Sequence, residues 1–244
     1  MGEIIAVLSG KGGTGKTSIT AGLSTALAKE GNRVLCVDCD VGLRNLDIPL
    51  GLSDTAALSF ADICEGGYSL DRLTAHPLFP SLFFLTAPMN RSADEIDAES
   101  FWAMVRTARD QFDYVFLDAP AGVDAGFRLA AAKADRVLLV TLSDPAAVRD
   151  AGRTGQVLEL MGKENVRLIV NRINPKLFSG MATTVDDVMD NAGLPLLGIV
   201  PEDANVTLAA AFGKPLMNYT KKGAAAACRR IASRLQGMPV KIDL

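Results

Sequence analysis

A glycine-rich segment near the start of the chain carries two lysines and could bind phosphate. Residues 9–18 read SGKGGTGKTS and follow the apolar run IIAVL. They contain the pattern G-x-x-x-x-G-K-[ST], in which backbone amides surround a phosphate at the positive end of the next helix. Lys16 would then bridge the β- and γ-phosphates of a nucleotide, and the Thr17 hydroxyl would bind Mg²⁺. The predicted nucleotide-binding residues of this loop are Gly10, Lys11, Gly12, Gly13, Thr14, Gly15, Lys16, Thr17 and Ser18.

The second lysine of this loop, Lys11, enters from the end opposite Lys16. It therefore reaches the same phosphates less easily. One use for it is to point across a two-fold axis into a partner subunit's nucleotide, where it would neutralise charge that grows in the transition state. The alternative is a surface lysine at a position that tolerates many residues. The pattern alone does not separate these two interpretations.

Acidic residues follow two further apolar runs. Asp38 and Asp40 lie two residues apart at the carboxyl end of a predicted strand, which is the edge where open sheets bind ligands. One carboxylate could hold Mg²⁺-bound water and the other could position an attacking water, although two capping or turn aspartates are an alternative. Asp118 ends the run YVFLD. After a phosphate-binding loop, an acid in this position is expected to bind Mg²⁺ through a water molecule.

The loop after Asp118 and one other strand end carry candidate nucleotide contacts. Gly122, after the segment 119–121 that reads APA, could offer its amide to the γ-phosphate. Asn171 ends the run LIVN, and its side-chain amide can both donate to and accept from an adenine edge. A generic turn asparagine is the alternative for Asn171.

The elements that position these residues alternate along the chain. Short β-branched runs separated by longer helical patterns indicate βαβ units and a parallel sheet. Strands are predicted at about 3–8, 33–38, 82–86, 113–118, 136–141, 166–171 and 196–200. Helices are predicted at 16–30, within 57–64, and at 93–109, 123–132, 145–161, 183–191, 203–211 and 219–236. We predict one α/β domain over residues 1–244 with helices on both faces of the sheet, ending in a short tail at 237–244.

Composition narrows the class of protein. The 244 residues are 49% hydrophobic and carry a formal charge of −3, which gives no general basic field for nucleic acid. Four scattered cysteines suit a reducing compartment rather than a disulfide framework. We find no leader pattern and no apolar run of about 18 residues, so a soluble, cytoplasmic protein is expected.

Three other signals are interpreted as structural. Cys36 and Cys39 have metal-site spacing, but in a strand they would point to opposite faces. His76, the only histidine, is expected in a loop without a catalytic role. The pattern around Trp102 predicts the core face of a helix, made by Phe101, Trp102, Met104 and Val105.

The motifs together resemble the ParA/MinD family of deviant Walker A ATPases. The resemblance runs from Ile4 to about Arg234 and includes KGGTGKT, GLRNLDIPLGL, DAPAG and the NR pair after the sixth predicted strand. It implies a single P-loop NTPase domain with a mostly parallel, twisted sheet of about seven or eight strands. It also implies that Lys11 contacts the nucleotide of a second subunit, which would give ATP-dependent dimers.

The resemblance assigns roles to further residues. Asp40 would orient the hydrolytic water with help from Asn45, and would stand with Thr17 and Asp118 near the metal. The residues implied to form the switches that sense the γ-phosphate are Asp38, Ala119, Pro120 and Ala121. The residues implied to enclose adenine are Asn171, Arg172, Pro201 and Glu202.

The implied function is a slow ATPase with ATP and Mg²⁺ as cofactors. The GLRNLD string resembles the branch of the family that places the division site, whose partners are a division-inhibitor protein of the MinC type and an activator of the MinE type. The segment 143–153 would lie near the dimer and partner surface, unless its charges are merely solvated. A DNA-partitioning or polar-positioning ATPase and a nucleotide-gated scaffold with negligible turnover are the alternatives. No sequence-specific nucleic acid is expected.

The last predicted helix bears on membrane binding. The branch ordinarily continues into a linker and an amphipathic helix that binds anionic lipid, whereas this sequence ends in CRRIASRLQGMPVKIDL. Its apolar stripe of Cys228, Ile231 and Leu235 is narrow for an interfacial helix. We therefore expect this helix to dock on its own domain, with any peripheral contact at the inner face of the membrane made in another way.

Overall fold

The protein is built around one eight-stranded sheet. The computed structural model describes residues 1–89, 91–174 and 185–242. The strands are β1 (Glu3–Leu8), β2 (Val34–Asp38), β3 (Ala75–His76), β4 (Phe79–Leu85), β5 (Tyr114–Asp118), β6 (Arg136–Thr141), β7 (Val166–Ile173) and β8 (Leu196–Pro201). Their order is β3-β4-β2-β5-β1-β6-β7-β8, and the β3–β4 pair is antiparallel while the other neighbours are parallel. The predicted mostly parallel α/β fold is confirmed.

Helices cover both faces of this sheet. They are α1 (Lys16–Lys29), α2 (Asp47–Leu50), α3 (Phe60–Cys64), α4 (Ala98–Gln111), α5 (Ala125–Ala131), α6 (Pro145–Leu160), α7 (Val185–Ala192), α8 (Ala204–Ala211), α9 (Leu216–Tyr219) and α10 (Ala224–Leu235). Short 3₁₀ turns occur at Leu70–Arg72 and Ala93–Glu95. Within the described residues, none of these helices has the length and apolar character needed to cross a membrane.

Alternate residues of the central strands form the cores of the two faces. Ile4, Ala6 and Leu8 of β1 belong to the core under α4, α5 and α6, whereas Ile5 and Val7 belong to the core under α1 and α10. Successive side chains of a strand point to opposite faces, so a strand covered on both sides is apolar throughout. The predicted core face of α4 is confirmed, because its four residues are buried in the first of these cores.

Several element boundaries differ from the prediction. The helix predicted at 93–109 begins at Ala98, because Asp97 accepts a hydrogen bond from the Ser100 amide and caps it. The helix predicted at 219–236 begins at Ala224 as α10, after Gly223 with a φ of +55°, and Tyr219 instead ends the separate short helix α9. Neither α2 nor β3 was predicted, and β4 begins at Phe79 rather than near 82. Part of the predicted 183–191 helix and of the loop before it lies outside the described residues.

His76 is part of the edge strand β3, which corrects its predicted place in a loop. Its Nε2 lies 2.8 Å from the Leu50 carbonyl at the end of α2, and its Nδ1 accepts a hydrogen bond from the Leu78 amide. Burial lowers the pKa of the ring, although the Leu50 carbonyl acts in the other direction. A neutral imidazole is required for Nδ1 to accept, so His76 ties β3 to α2.

Candidate functional site

The glycine-rich loop crosses from the end of β1 to the start of α1, at the carboxyl edge of the sheet. Gly13 and Gly15 have φ values of +80° and +88°, in the left-handed region that glycine adopts without strain. A side chain at Gly15 would also place its Cβ 2.3 Å from the Asn171 Nδ2 atom. Local backbone conformation and close packing therefore both require glycine here. The buried Thr14 hydroxyl has no hydrogen-bond partner among the described residues.

Asp118 lies where the sheet meets α1, the helix that follows the glycine-rich loop. β5 pairs with β1, and Asp118 lies beside Val7 at the end of the paired segment. Its Oδ2 accepts a hydrogen bond from the Thr17 hydroxyl at 2.8 Å, and its Oδ1 lies 3.4 Å from Lys16 Nζ. A buried hydroxyl of the next helical turn, Thr20, donates to the same Oδ1 at 2.7 Å. The predicted Lys16, Thr17 and Asp118 are thus brought together.

This cluster fits Mg²⁺. Magnesium takes hard oxygen ligands and is usually held by one or two carboxylates together with nucleotide phosphates. The Thr17 hydroxyl and the Asp118 carboxylate supply two such oxygens side by side. Asp40 is half-buried and close enough for the charges of Lys16 and Asp118 to affect its pKa. These three residues are the ones that would hold the metal.

Asp38 organises the segment that follows β2. Its carboxylate accepts hydrogen bonds from the amides of Asp40, Asn45 and Leu46 at 2.9–3.0 Å. Burial, followed by the neighbouring charge of Asp118, raises the pKa of Asp38 to about 6. The side chain of Asn45 is exposed, and only its backbone takes part in this network. Asp38 therefore shapes the backbone that presents Asp40 and Asn45.

The groups around Asp40 act on the pKa of its carboxyl in opposite directions. Burial raises the pKa of its carboxyl, the Lys16 ammonium acts to lower it, and the Asp118 carboxylate acts to raise it. An aspartate in such a place can accept a hydrogen bond from water while remaining near a cation. The arrangement is compatible with the predicted role in orienting water, which stays a prediction.

Lys11 is paired with a different acid from the one that contacts Lys16. Its Nζ lies 3.6 Å from an Asp144 carboxylate oxygen, and both side chains are partly exposed. Asp144 also accepts from the Ala147 amide and caps α6, so the predicted start of that helix at Asp144-Pro145 is confirmed. Partly exposed ion pairs contribute little stability. Lys11 can therefore leave Asp144 for a stronger anion at small cost.

The residues after Asp118 run back beside the phosphate loop. The Ala119 amide donates to Val7, and the Gly122 amide donates to the Ser9 carbonyl at 3.1 Å. The predicted contact of Gly122 with a γ-phosphate would require this second hydrogen bond to break. Pro120 and Ala121 complete the loop and are more exposed than Ala119. The segment is thus held to the phosphate loop by backbone contacts that a ligand could replace.

A cavity of about 380 Å³ opens next to the start of α1. The residues that line it include Gly15, Ser18, Asn171, Arg172, Pro201, Glu202, Ala224 and Cys228. The four residues expected to enclose adenine are therefore brought together beside the phosphate loop. The Asn171 Nδ2 already donates to the Thr14 carbonyl at 2.8 Å, which leaves its oxygen for a base. Arg172 has a φ of +53° and is exposed at the rim.

Two residues of the site were not predicted from the sequence. Thr20 follows Lys16 by four positions, so a helical wheel places both on one face of α1. Asp203 caps α8 through the Asn205 amide and also accepts from the Ala224 amide at the start of α10. Asp203 thereby closes one end of the cavity. Its position just before a helix is the signal that could have identified it.

The two cysteines interpreted as structural are both buried, although β2 ends at Asp38 and Cys39 follows it. Cys36 and Cys39 are buried in the cores of opposite faces. Burial raises the pKa of Cys36 to about 12 and that of Cys39 well above its usual value. In the described part of the chain no three His, Cys, Asp or Glu side chains are grouped as metal ligands.

Helix α6 packs directly on the phosphate loop. A Cβ at Gly10 would lie 2.4 Å from the Thr154 hydroxyl, so glycine permits this approach. Toward α7 the outer face of α6 forms a groove of about 420 Å³ that includes Arg149 and Arg153. Both arginines are exposed. The expectation of a partner surface over 143–153 stays a prediction.

Comparison with known proteins agrees with this geometry. Residues 5–216 match the family described as CobQ/CobB/MinD/ParA nucleotide binding domain. The chain is 40% identical to the septum site-determining protein MinD of Synechocystis sp. over 98% of this chain and 91% of that protein. It superposes with a TM-score of 0.91 on a structure of the MinC:MinD cell division protein complex of Aquifex aeolicus, at 35% identity over 99% of this chain and 98% of that one. It also resembles septum site-determining protein MinD of Pyrococcus horikoshii complexed with Mg-ADP, with a TM-score of 0.79 and 27% identity over 96% of each chain.

Proposed function

This chain belongs to the CobQ/CobB/MinD/ParA family of nucleotide-binding domains, and on that premise we propose that it is a MinD-type ATPase that regulates placement of the division site. It binds Mg-ATP, dimerises face to face in the ATP state, recruits a division inhibitor, and hydrolyses ATP slowly to ADP and phosphate. The likeness to MinD proteins over almost the whole chain supports this reading.

The observation that carries the proposal is the meeting of Lys16 and Thr17 at Asp118 beneath the glycine loop. Lys16 is almost fully buried and pairs with Asp118. When a triphosphate binds, the Lys16 ammonium moves to its phosphate oxygens, which compete with Asp118 for the same positive charge. Magnesium held by Thr17 and Asp118 would neutralise negative charge on the phosphates. Asp40 orients the attacking water.

Lys11 supplies the part of the site that one chain lacks. Its ammonium is partly exposed and is paired with Asp144 at 3.6 Å. In a symmetric dimer each Lys11 reaches the nucleotide of the other subunit and stabilises the charge that develops during hydrolysis. Gly122 gives up its contact with Ser9 to bind the γ-phosphate, which couples the nucleotide state to the dimer surface.

A division-inhibitor protein of the MinC type is the proposed partner. The Aquifex protein with 35% identity was solved as a complex of MinC and MinD. An activator of the MinE type is a further proposal that rests on the same family membership. Helix α10 is not proposed as a lipid-binding element, because Cys228, Ile231 and Leu235 are buried in the domain core.

The proposal is tested by Lys11→Ala. Affinity for ATP should stay largely unchanged, because Lys16 and the loop amides hold the phosphates. Dimerisation with a non-hydrolysable analogue should weaken at least about 100-fold, since two symmetric charge-assisted contacts of about 1.5–3 kcal/mol each are lost. Light scattering after size exclusion gives the mass, and fluorescent nucleotide titration gives the affinity.

Lys133→Ala is the matched control. Lys133 is an exposed lysine that pairs with Glu99 at 3.7 Å, so its removal costs a similar surface contact away from the loop. This variant should dimerise like the wild type. If Lys11→Ala also dimerises normally, the trans contact is wrong. Phosphate release by the wild type then distinguishes a slow ATPase from a scaffold without turnover, and a low-salt gel shift with DNA tests the partitioning alternative.

A further inference from the structure

Asp118 accepts hydrogen bonds from more than its predicted partners. Besides Lys16 and Thr17, it accepts one from Thr20, whose hydroxyl lies 2.7 Å from Oδ1. This is the shortest of the three contacts, and the Thr20 side chain is fully buried. A buried carboxylate needs its hydrogen bonds satisfied, so each of these donors affects its orientation.

The three donors differ in what else they must do. Lys16 has to release Asp118 to bind phosphate, and Thr17 has to turn an oxygen lone pair toward the metal. Thr20 has neither duty, because it lies in the interior one turn further along α1. Its hydroxyl is therefore the donor that can hold Asp118 in every nucleotide state.

We infer that Thr20 is a positioning residue for magnesium: it fixes the Asp118 carboxylate so that Oδ2 stays beside the Thr17 hydroxyl. This inference rests on the proposed function, in which Thr17 and Asp118 hold the metal. Thr20 itself touches neither metal nor nucleotide. Residues that orient a metal ligand in this way typically change metal affinity by 10–100-fold when they are replaced.

The competing role for Thr20 is a local hydrogen bond within the helix. Its hydroxyl also lies 3.1 Å from the Lys16 carbonyl, the usual contact of a threonine with the residue four positions earlier. A hydroxyl has one proton to donate. The contact to the Asp118 carboxylate is the shorter and stronger of the two, so the hydroxyl donates its hydrogen bond to Asp118. If the helix contact were the whole role, replacing Thr20 would not affect magnesium.

The test uses Thr20→Val, which replaces the hydroxyl by a methyl group of similar size, and Thr20→Ser, which keeps the hydroxyl. Fluorescent ADP is titrated with Mg²⁺ at fixed protein, and its affinity is measured separately in EDTA. We expect Thr20→Val to need about tenfold more Mg²⁺ for half-maximal binding of the metal–nucleotide complex. Metal-free ADP affinity should be unchanged, and Thr20→Ser should titrate like the wild type.

Thr25→Val is the matched control. Thr25 is a buried threonine of the same helix, and its hydroxyl donates to the Ala21 carbonyl at 2.6 Å rather than to an acid. It should lose stability without any change in the Mg²⁺ titration. If Thr20→Val does not fold, Thr20→Ala makes the same test with a smaller side chain.

The outcomes separate the two proposals. A wild type that binds no nucleotide overturns the proposed function. A second outcome is that the wild type binds Mg-ADP while Thr20→Val, or Thr20→Ala in its place, needs no more Mg²⁺ than Thr25→Val does. In that case the positioning role of Thr20 is wrong and the proposed function stands. A selective Mg²⁺ defect that Thr20→Ser does not show supports the inference.

Discussion

At the scale of single residues, the site has more negative than positive charge near its centre. The Asp118 carboxylate acts to raise the pKa of both Asp38 and Asp40, and Lys16 is the cation that acts on Asp40. Asp38 and Asp118 occupy paired positions on adjacent strands. The excess of carboxylates favours binding of a divalent cation.

Asn171 shows what the sequence could and could not predict at this scale. The strand-ending asparagine indicates a ligand-facing position, and it does line the cavity. The direction of its amide depends on a contact with Thr14, which is 157 positions away in the chain. No local pattern contains that contact. The role of the amide as a support for the phosphate loop emerged only from the folded structure.

Asn171→Asp tests this supporting role. A carboxylate faces the Thr14 carbonyl as a second acceptor, so the buried contact turns repulsive. We expect the free energy of unfolding to fall by about 1–3 kcal/mol and nucleotide affinity to fall at neutral pH. Urea unfolding and fluorescent nucleotide titration measure the two effects. Affinity should partly recover at acid pH, where a protonated carboxyl can donate to Thr14.

Asn165→Asp serves as the control for that experiment. Asn165 precedes the opposite end of β7, and its amide donates to the Asp135 carbonyl at 3.3 Å. Its replacement should lower stability without weakening nucleotide binding. Equal effects of both substitutions on affinity would mean that Asn171 acts only through general stability.

At the scale of elements, α1 connects the nucleotide site to the last helix. It begins in the phosphate loop at Lys16 and packs along α10, where Gly22 faces Cys228. A Cβ at Gly22 would lie 2.7 Å from the Cys228 sulfur. The approach of the two helices therefore depends on a missing side chain. The sequence predicted both helices but not this contact, because a glycine inside a helix does not identify its partner.

Gly22→Ala tests the packing of α1 on α10. In an isolated helix the change to alanine would stabilise by up to about 1 kcal/mol. Here we expect a net loss of about 1–3 kcal/mol, because the methyl group overpacks a buried contact. In a Cys228→Ala background the same change should be neutral or stabilising. Urea unfolding of the four proteins measures the coupling, and additive effects of the two substitutions would contradict the packing argument.

At the scale of the whole molecule, the features that could be predicted from the sequence are those determined by residues close together in the chain. The phosphate loop was predictable because left-handed glycines and the start of a helix are encoded within eight residues. The alternation of strands and helices was predictable because both faces of a parallel sheet are covered. In contrast, β3 has two residues and α2 has four, and His76 joins them through Leu50. Elements as short as these are stabilised by tertiary contacts, so the sequence contains little pattern from which to predict them.

The sheet order explains why distant motifs form one site. The neighbours of β1 are β5 and β6, β2 follows β5, and β7 follows β6. The parallel strands end at the same edge, so the glycine loop, Asp38, Asp118 and Asn171 meet there. Helix α6 packs against this loop at Gly10 and carries exposed arginines on its outer face. A change in the loop can thus be transmitted to the surface proposed for partners.

The proposed dimer makes a prediction that no single chain can satisfy. Lys11→Ala keeps its own Asp40 but supplies no lysine, whereas Asp40→Ala supplies Lys11 but cannot orient water. Each variant alone should hydrolyse ATP poorly. At protein concentrations high enough to keep even the weakened Lys11→Ala pairs dimeric, about half of the dimers in an equal mixture are mixed. One of the two sites in each mixed dimer is complete, so the activity should reach about one quarter of the wild-type value.

This rescue depends on Lys11 acting across the interface. If Lys11 acted on the nucleotide of its own chain, every site in the mixture would still lack either the lysine or the aspartate, and no activity would return. Lys11→Ala mixed with the double variant Lys11→Ala/Asp40→Ala is the control, because that pair supplies no lysine at all. A mixture no more active than this control would place Lys11 in its own subunit. Recovery that rises with total protein concentration would identify the active species as a dimer.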